Sequence, residues 1–518
     1  MAELLTQLGY FGQAAGQVFN PSTLLIVAGA VVLGLVVGAI PGLTGTMALA
    51  LLINLTYTMS TPDAVAFLLG VYVGGVSGGL FSAIMLNIPG TPNAAATALD
   101  GFPLAKQGKG GQAIFGGVFA SFLGTILSCC LMMILTPFVY KVALKFQNWE
   151  RFLLAVFGIM ICGNMSVDST PLKGWIVGFL GFFCALIGVD KIQNTPRFLF
   201  GIKDLMAGVT LIPALIGMFG IAEVLCTLQD KDPYTLSDSM GSFFPTKSEL
   251  KSLLKPVPRS ALIGCGVGAI PGAGEDIAAW LSYSIGRSRS KEGEKFSKGS
   301  FEGLSCSETA NNACIAGAMI PMLTLAIPGS AQAAMFLAAL NLHGVKPGPL
   351  LATTSPTFMY VVGVTILVAA FVMFLLSFVV TKPMVTILKI NRKILMPIVV
   401  AMTVIGAFAS RQQIFDIKLM FVFGLIGFVL RKRGFSLASM TLGLILGGDA
   451  DTYFRQALTQ VQGNLFMMLK RPIGDILLVV VLYTLISGIR KSIKGSATND
   501  AIAQSEAEIE TRAETGEV

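Results

Sequence analysis

The sequence predicts an all-α, polytopic membrane protein with two inverted structural repeats, re-entrant hairpins and discontinuous helices. Three observations carry that prediction. Charge is sparse and gathered into short loops, the charge-free stretches are long enough to cross a bilayer, and Ile-Pro-Gly breaks recur in the same order in two halves.

Of the 518 residues, 54% are apolar and 12% are charged. A soluble domain carries charge at about a quarter of its positions, because its surface must be solvated. Here no charged residue occurs from Leu4 to Pro62, from Ala64 to Leu99, from Gly110 to Tyr140 or from Pro347 to Thr381. A membrane helix needs about 20 apolar residues, so each window holds at least one. A single buried soluble core does not explain so many windows in one chain. The formal charge of +8 would suit nucleic acid, but its placement argues for no such partner. Lys247, Lys251, Lys255 and Arg259, then Arg287, Arg289, Lys291, Lys295 and Lys298, then Arg431, Lys432 and Arg433 lie between apolar windows. That is how a membrane protein marks its cytoplasmic loops.

The eight cysteines show no Cys-x-x-Cys spacing and mostly sit inside apolar windows, as small packing residues do. His343 is the one histidine, so a His-rich metal site is not available. The first basic residue is Lys106; the N-terminus lacks the basic start of a signal peptide, and insertion through the chain's own helices is expected.

The repeat is read from two ordered matches. Residues 34–42 are GLVVGAIPG and residues 264–272 are GCGVGAIPG, identical at seven of nine positions. Residues 88–95, IPGTPNAA, then match residues 327–334, IPGSAQAA, with Thr91 facing Ser330 and Asn93 facing Gln332. The expected organisation is a first transmembrane repeat over 1–225, a polar, basic linker over 226–259, a second repeat over 260–490 and a disordered acidic tail over 491–518.

Each match contains a helix break: Pro41-Gly42, Pro89-Gly90, Pro271-Gly272 and Pro328-Gly329. Proline removes a backbone donor and clashes with the preceding turn, and glycine lets the chain reverse. In hydrocarbon the freed polar groups survive only where protein or a wet cavity satisfies them. One break would read as a kinked packing helix, and Gly34/Gly38 and Gly264/Gly268 do have GxxxG spacing. Four breaks, paired between halves, are the pattern of a transporter with discontinuous helices around a midplane site.

The arms beside the breaks give orientation. From Ser260 to Ile270 is eleven residues and from Glu275 to Gly286 is twelve, both short for a bilayer of about 30 Å. Basic residues flank both ends, so this unit enters and leaves on the cytoplasmic side. The equivalent unit, residues 22–61, has arms of about nineteen and seventeen residues and no basic flank, so it enters from outside. Opposite entry faces imply inversion.

Each break also restarts a helix with capping chemistry. Thr91 precedes Pro92, Ser330 stands in the same place, and Thr44 and Thr46 follow Pro41-Gly42. Helix N-termini bind anions without a lysine, and no Lys or Arg lies in any break segment. The expected substrate site is therefore Thr44, Thr46, Asn87, Thr91, Asn93, Ser330 and Gln332, suited to a carboxylate that must also leave. After Pro271-Gly272 come Glu275 and Asp276, where the first half has Gly45 and Thr46. Glu308, Asn311 and Asn312 then open the run towards Pro328. Acidic groups at membrane depth are costly and usually functional. They repel an anion, so a cation should accompany it, and Asp276, Glu308, Asn311 and Asn312 are the coupling candidates. A proton or Na⁺ at Asp276 fits hard oxygen ligands, with no other metal implied. Capping of helix starts near an interface stays open for Glu275 and Glu308.

At these residues the chain resembles a known family. GAIPGLTGTMA at 38–48, LNIPGTPNAAATALDGFPLAKQGKGGQA at 86–113, GAIPGAGEDIAAWLSY at 268–283 and SETANNACIAGAMIPMLTLAIPGSAQAA at 307–334 are similar to the large membrane subunit of tripartite tricarboxylate transporters, the TctA type. The resemblance runs from about residue 20 to 490. It implies a multi-pass protein of the bacterial inner membrane, a secondary, cation-coupled importer of citrate and other organic di- and tricarboxylates, sometimes aromatic acids. It also implies a small four-helix membrane subunit (TctB-like), a periplasmic solute-binding protein (TctC-like) and no cofactor; a homo-oligomer stays open. A self-sufficient carrier, channel or exporter is the alternative, separated by whether uptake saturates and needs an ion gradient. An intramembrane enzyme is disfavoured, since HExxH and GxSxG are both missing.

Overall fold

The computed structural model describes residues 2–40, 43–165, 171–190, 192–229, 241–387, 392–490 and 492–493. Pro41, Gly42 and nearly all of the acidic tail lie outside the described residues. In chain order the first helices are α1 (Ala2–Val18), α2 (Pro21–Ala39), α3 (Gly45–Leu52), α4 (Thr61–Leu86), α5 (Ala95–Leu104), α6 (Gly110–Ala143), α7 (Asn148–Met165) and α8 (Pro171–Ala185). A two-stranded ribbon, β1 (Gly188–Val189) with β2 (Pro196–Arg197), leads to α9 (Leu211–Ile216) and α10 (Ala222–Thr227). The second series is α11 (Lys247–Leu254), α12 (Val257–Gly268), α13 (Gly274–Arg289), α14 (Phe301–Leu325), α15 (Ala331–Leu342), α16 (Leu351–Thr354) and α17 (Phe358–Ile387). It ends with α18 (Arg392–Arg411), α19 (Ile414–Lys432), α20 (Leu437–Gln460) and α21 (Leu465–Met468).

The protein is an all-α, polytopic membrane protein. Among the described residues, five helical segments are long and apolar enough to cross a membrane: Pro21–Ala39, Thr61–Leu86, Pro92–Ala143, Phe358–Met384 and Pro472–Arg490. Their starts follow local chemistry. Asn20 caps α2 through Ser22 N with Pro21 behind it, Ser60 caps α4 through Asp63 N, and Ser300 caps α14 through Gly303 N. At 25 residues α14 is long enough to join the five, but Glu302, Glu308, Asn311 and Asn312 make it too polar.

Two chain compact units form. The first comprises Met1–Phe146 and Ile187–Lys432. Its centre is α4 and α14, buried on every side from Ala64 to Leu86 and from Phe301 to Thr324. Helices apolar or buried all round belong in the middle of a bundle. Around them the packing is reciprocal: α2 lies along α4 and α12 along α14, while α17 packs on α4 and α6 on α14.

The details repeat as well. Gly78 of α4 closes on the Leu35 carbonyl, and Gly317 of α14 closes on the Cys265 carbonyl; a β-carbon at either would collide. Gly90 and Gly329 likewise meet the carbonyls of Gly38 and Gly268. The helix before each second break ends in left-handed backbone, at Asn87 with φ 57° and at Ala326 with φ 58°. Alanine tolerates that region poorly, so its presence marks a geometry that the turn imposes.

The hairpin arms differ from expectation in one place. The arms α12 and α13 have 12 and 16 residues, and α2 has 19. The arm after the first break is interrupted: α3 runs for eight residues and passes into a 3₁₀ turn, Ile53–Thr58. There Thr56 turns its hydroxyl onto the Ile53 carbonyl at 2.6 Å and faces His343 Nε2 at 2.8 Å.

The second unit comprises Gln147–Leu186 and Arg433–Val518. Within it α20 packs against α7 and α8, with Gly181 closing on the Met440 carbonyl and Gly443 on the Gly178 carbonyl. Buried Glu150 is held by Arg471 Nε at 2.8 Å.

Candidate functional site

The candidate site lies in the first unit, where both helix restarts meet the central helices. In the second half the two breaks bond to each other: Gly272 N donates to the Pro328 carbonyl at 3.3 Å and Gly274 N to the Gly329 carbonyl at 3.1 Å. Protein thus satisfies the backbone that proline and glycine free. Ser330 then caps α15 by accepting from Ala333 N at 3.2 Å. Its oxygen also lies 2.7 Å from the hydroxyl oxygen of Tyr72 on α4. Tyr72 donates to Glu275 Oε1 at 2.6 Å, so a chain of three polar groups joins α4, α13 and the second restart. All three are buried. Gln332 sets its side-chain nitrogen against Gly45 of α3, where a β-carbon would lie 3.3 Å away. Thr44 caps α3 through Met47 N at 3.1 Å, and Thr46 is buried on that helix.

The first restart is built differently. Thr91 has extended backbone before Pro92, as an N-cap should, but its hydroxyl makes no capping bond. A short 3₁₀ turn, Pro92–Ala94, intervenes before α5. Asn93 Nδ2 donates to Asn311 Oδ1 at 2.7 Å and to the Val76 carbonyl at 3.3 Å. A carbonyl only accepts, which fixes the orientation of the Asn93 amide. Asn312 Nδ2 donates to Ser77 Oγ at 2.7 Å and to Thr125 Oγ1 at 3.5 Å. Asn87, by contrast, is exposed and serves as the left-handed cap of α4.

Four buried atoms here have no hydrogen-bond partner among the described residues: Thr91 Oγ1, Asn93 Oδ1, Asn311 Nδ2 and Asn312 Oδ1. Leaving one such group unpaired costs about 1–3 kcal/mol. Thr91 fills the space that Gly79 leaves on α4, one turn from Val76, so these groups share a neighbourhood. Asn311 Nδ2 donates, Asn93 Oδ1 and Asn312 Oδ1 accept, and the Thr91 hydroxyl can do either. A carboxylate satisfies the donors; a cation or a substrate hydroxyl satisfies the acceptors.

Glu308 lies one turn before Asn311 on α14 and is fully buried. Thr97 donates to its Oε1 at 2.5 Å and Ser121 to its Oε2 at 2.8 Å. The Asn311 amide nitrogen is turned towards this carboxylate as well, at a longer reach than Thr97 and Ser121. Among the described residues neither Glu275 nor Glu308 has an ion-pair partner, whereas Asp416, equally buried, is held by Arg411 at 2.6 Å. Asp276 is half-buried beside Gly274. No group of three or more His, Cys, Asp and Glu side chains among the described residues is placed to hold a metal ion.

The sequence-predicted residues thus fall into two clusters, Thr91, Asn93, Asn311 and Asn312 with Glu308, and Ser330 with Gln332 near Thr44 and Thr46. The missed residues are Tyr72, Ser77, Thr97, Ser121 and Thr125. Tyr72 carried a signal: it is the lone tyrosine in the charge-free window 64–99. The others are hydroxyls of apolar helices, indistinguishable in sequence from helix back-bonding residues.

Residues 24–442 match the model of the tripartite tricarboxylate transporter TctA family. The chain belongs to that family. It is the large subunit of a tripartite tricarboxylate transporter, and every candidate residue above lies within the matched region. An uncharacterized 52.8 kDa protein in the TAR-I ttuC' 3' region of Agrobacterium vitis is 30% identical over 465 residues, 90% of this chain and 92% of that relative. An uncharacterized protein in the TAR-II ttuC' 3' region of the same organism is 30% identical over 228 residues, 44% of this chain and 94% of the relative. No solved structure matches the chain. The TctA family is a transporter family, which points away from an enzyme.

Proposed function

We propose that this TctA-family chain is the substrate-translocating subunit of a binding-protein-dependent, cation-coupled importer of organic di- and tricarboxylates in the bacterial inner membrane. Its partners are a small TctB-like membrane subunit and a periplasmic TctC-like binding protein. The observation that carries this reading is the set of four buried, unpartnered polar atoms at the first helix restart. Donors and acceptors kept vacant at a cost, at the junction of two repeats, suit a small polar anion that binds and leaves. Unpaired Glu275 and Glu308, with Asp276, supply the negative charge that a cation compensates.

On this reading the halves 1–225 and 260–490 are inverted repeats about an axis in the membrane plane, joined by the basic linker 226–259. Gly78 against the Leu35 carbonyl is matched by Gly317 against the Cys265 carbonyl, and Gly90 against Gly38 by Gly329 against Gly268, which supports the repeat. High affinity comes from the binding protein, because the restart groups are weak single donors. The experiment is citrate uptake into proteoliposomes holding this chain and its small subunit, with and without the binding protein, under an imposed ion gradient. Uptake is expected only with both the binding protein and the gradient. Saturable uptake without the binding protein would leave a self-sufficient carrier, and uptake indifferent to the gradient would leave a channel.

A further inference from the structure

Glu275, Tyr72 and Ser330 form a hydrogen-bonded line that ties a buried acid of the proposed coupling set to a hydroxyl of the expected substrate site. A hydroxyl has one donor and two acceptor sites, which makes the line countable. Tyr72 spends its hydrogen on Glu275 Oε1, at 2.6 Å. The 2.7 Å contact between Tyr72 and Ser330 must then be donated by Ser330. Ser330 already accepts from Ala333 N in capping α15. With Glu275 ionised, Ser330 therefore has no hydrogen left for an anion at the second restart.

The geometry points to a proton relay: protonation of Glu275 reverses this line and releases the Ser330 hydroxyl to donate to a substrate carboxylate. The inference rests on the transporter reading above and names the residue that couples proton to substrate. In the reversed line the carboxyl O–H of Glu275 donates to the Tyr72 oxygen. Tyr72 turns its own hydrogen onto Ser330 Oγ, whose two acceptor sites are then filled by Tyr72 and Ala333 N. The Ser330 hydrogen is freed towards the break. No covalent bond changes except the O–H bond formed on Glu275 by a proton from the side the substrate enters. On release the line reverts and that same proton leaves to the other side, one proton per line.

The surroundings allow Glu275 to be the group that changes charge. The titratable groups facing it are Tyr72 on α4, Asp276 on its own helix and Cys314 on α14. Other titratable groups on helices packed against α13 are engaged elsewhere. Asp100 accepts from Tyr283, Gly299 N and Ser300 N; Glu302 pairs with Lys255; Glu308 is held by Thr97 and Ser121; Arg259 and Cys306 face each other. Of the cysteines on α12 and α14, Cys265 is buried against Gly317. On the short turn after α13, Lys295 pairs with Glu292. Glu294 is the other acid there, exposed to solvent.

Two arms test the relay. The first needs no substrate: infrared difference spectra of the full chain in lipid, acid minus alkaline. A protonated-carboxyl band is expected that vanishes in Glu275→Gln and shifts in Tyr72→Phe. A band unchanged in both variants overturns the relay. The second arm uses the chain with its small subunit and citrate-loaded binding protein in proteoliposomes. External pH is held constant so that citrate keeps one charge state, and internal pH is varied. The glutamine amide donates to Tyr72 as a protonated carboxyl does but cannot gain or lose the proton, so in Glu275→Gln the dependence of citrate accumulation on internal pH should fall by at least about tenfold. Tyr72→Phe should lose the same dependence. Retention of acid-driven accumulation by both variants, or accumulation in the parent driven by a sodium gradient and indifferent to pH, overturns the proton assignment. Failure of the parent to take up citrate under any gradient instead counts against the transporter reading, and the infrared arm then decides the relay separately.

Discussion

Replacing Thr91 with valine separates stability from function with opposite signs. The Thr91 hydroxyl is 1% exposed and has no partner, so the folded protein carries it as a desolvated, unsatisfied group. Valine keeps the volume and puts a methyl where that oxygen stands. The penalty of an unpaired buried group is about 1–3 kcal/mol, and its removal should leave stability equal or higher by an amount of that order. Substrate binding should suffer. A hydrogen bond to a charged carboxylate is worth about 1.5–3 kcal/mol, equivalent to about 10- to 150-fold in affinity. Thr97→Val is the control. Its hydroxyl donates to buried Glu308 at 2.5 Å, so the same chemical change should lower stability by about 1.5–3 kcal/mol. The assay is thermal unfolding of the substrate-free protein in detergent, paired with the apparent KM for citrate uptake. If Thr91→Val unfolds as early as Thr97→Val while its uptake matches the parent, the orphaned hydroxyl is a packing feature and the site lies elsewhere.

Two further outcomes follow from the same geometry. Asp276→Asn and Glu308→Gln keep shape and remove charge; at least one should change the ion dependence of uptake by about tenfold at equal membrane abundance, and unchanged dependence in both removes Asp276 and Glu308 from the coupling. Single cysteines at Thr61, which starts α4, and Ser288, near the end of α13, should react with impermeant thiol reagents from opposite membrane faces. Reaction from one face contradicts inversion.

The breaks were legible because proline and glycine leave a mark at fixed spacing, and the structure places Pro89-Gly90, Pro271-Gly272 and Pro328-Gly329 at ends of helices. What the breaks do locally was less legible. Thr91-Pro92 reads as a strong helix start, yet the 3₁₀ turn at Pro92–Ala94 draws the backbone away from the hydroxyl and leaves it unpartnered. The same residue types at Ser330 do form the cap, so the difference lies in tertiary context and not in propensity. Ala326 gives no hint of left-handed backbone; only its alignment with Asn87 does. Glu308 was visible as an acid in an apolar run, but Thr97 and Ser121, which hold it, come from other helices and have no sequence signature.

On the proposed repeat, the two halves differ in a way that divides the work of the site. The register that aligns Asn87 with Ala326 and Thr91 with Ser330 aligns Tyr72 of α4 with Asn311 of α14. Each of these residues bonds the restart of the opposite half: Tyr72 reaches Ser330, and Asn311 receives Asn93. The cross-bonding is therefore common to both halves. The charges are not shared in this way. Glu308 aligns with Leu69 and Glu275 with Gly45, so both unpaired carboxylates come from the second half. The first half supplies the neutral groups around them, Tyr72, Thr97 and Ser121, and the orphaned Thr91 and Asn93. Although both come from the second half, Glu308 stands with the first-restart cluster and Glu275 with the second, so each restart has one buried carboxylate beside it. On the proposed reading, a cation or proton taken up at either carboxylate changes the field at the restart it adjoins, and this couples the ion to the substrate.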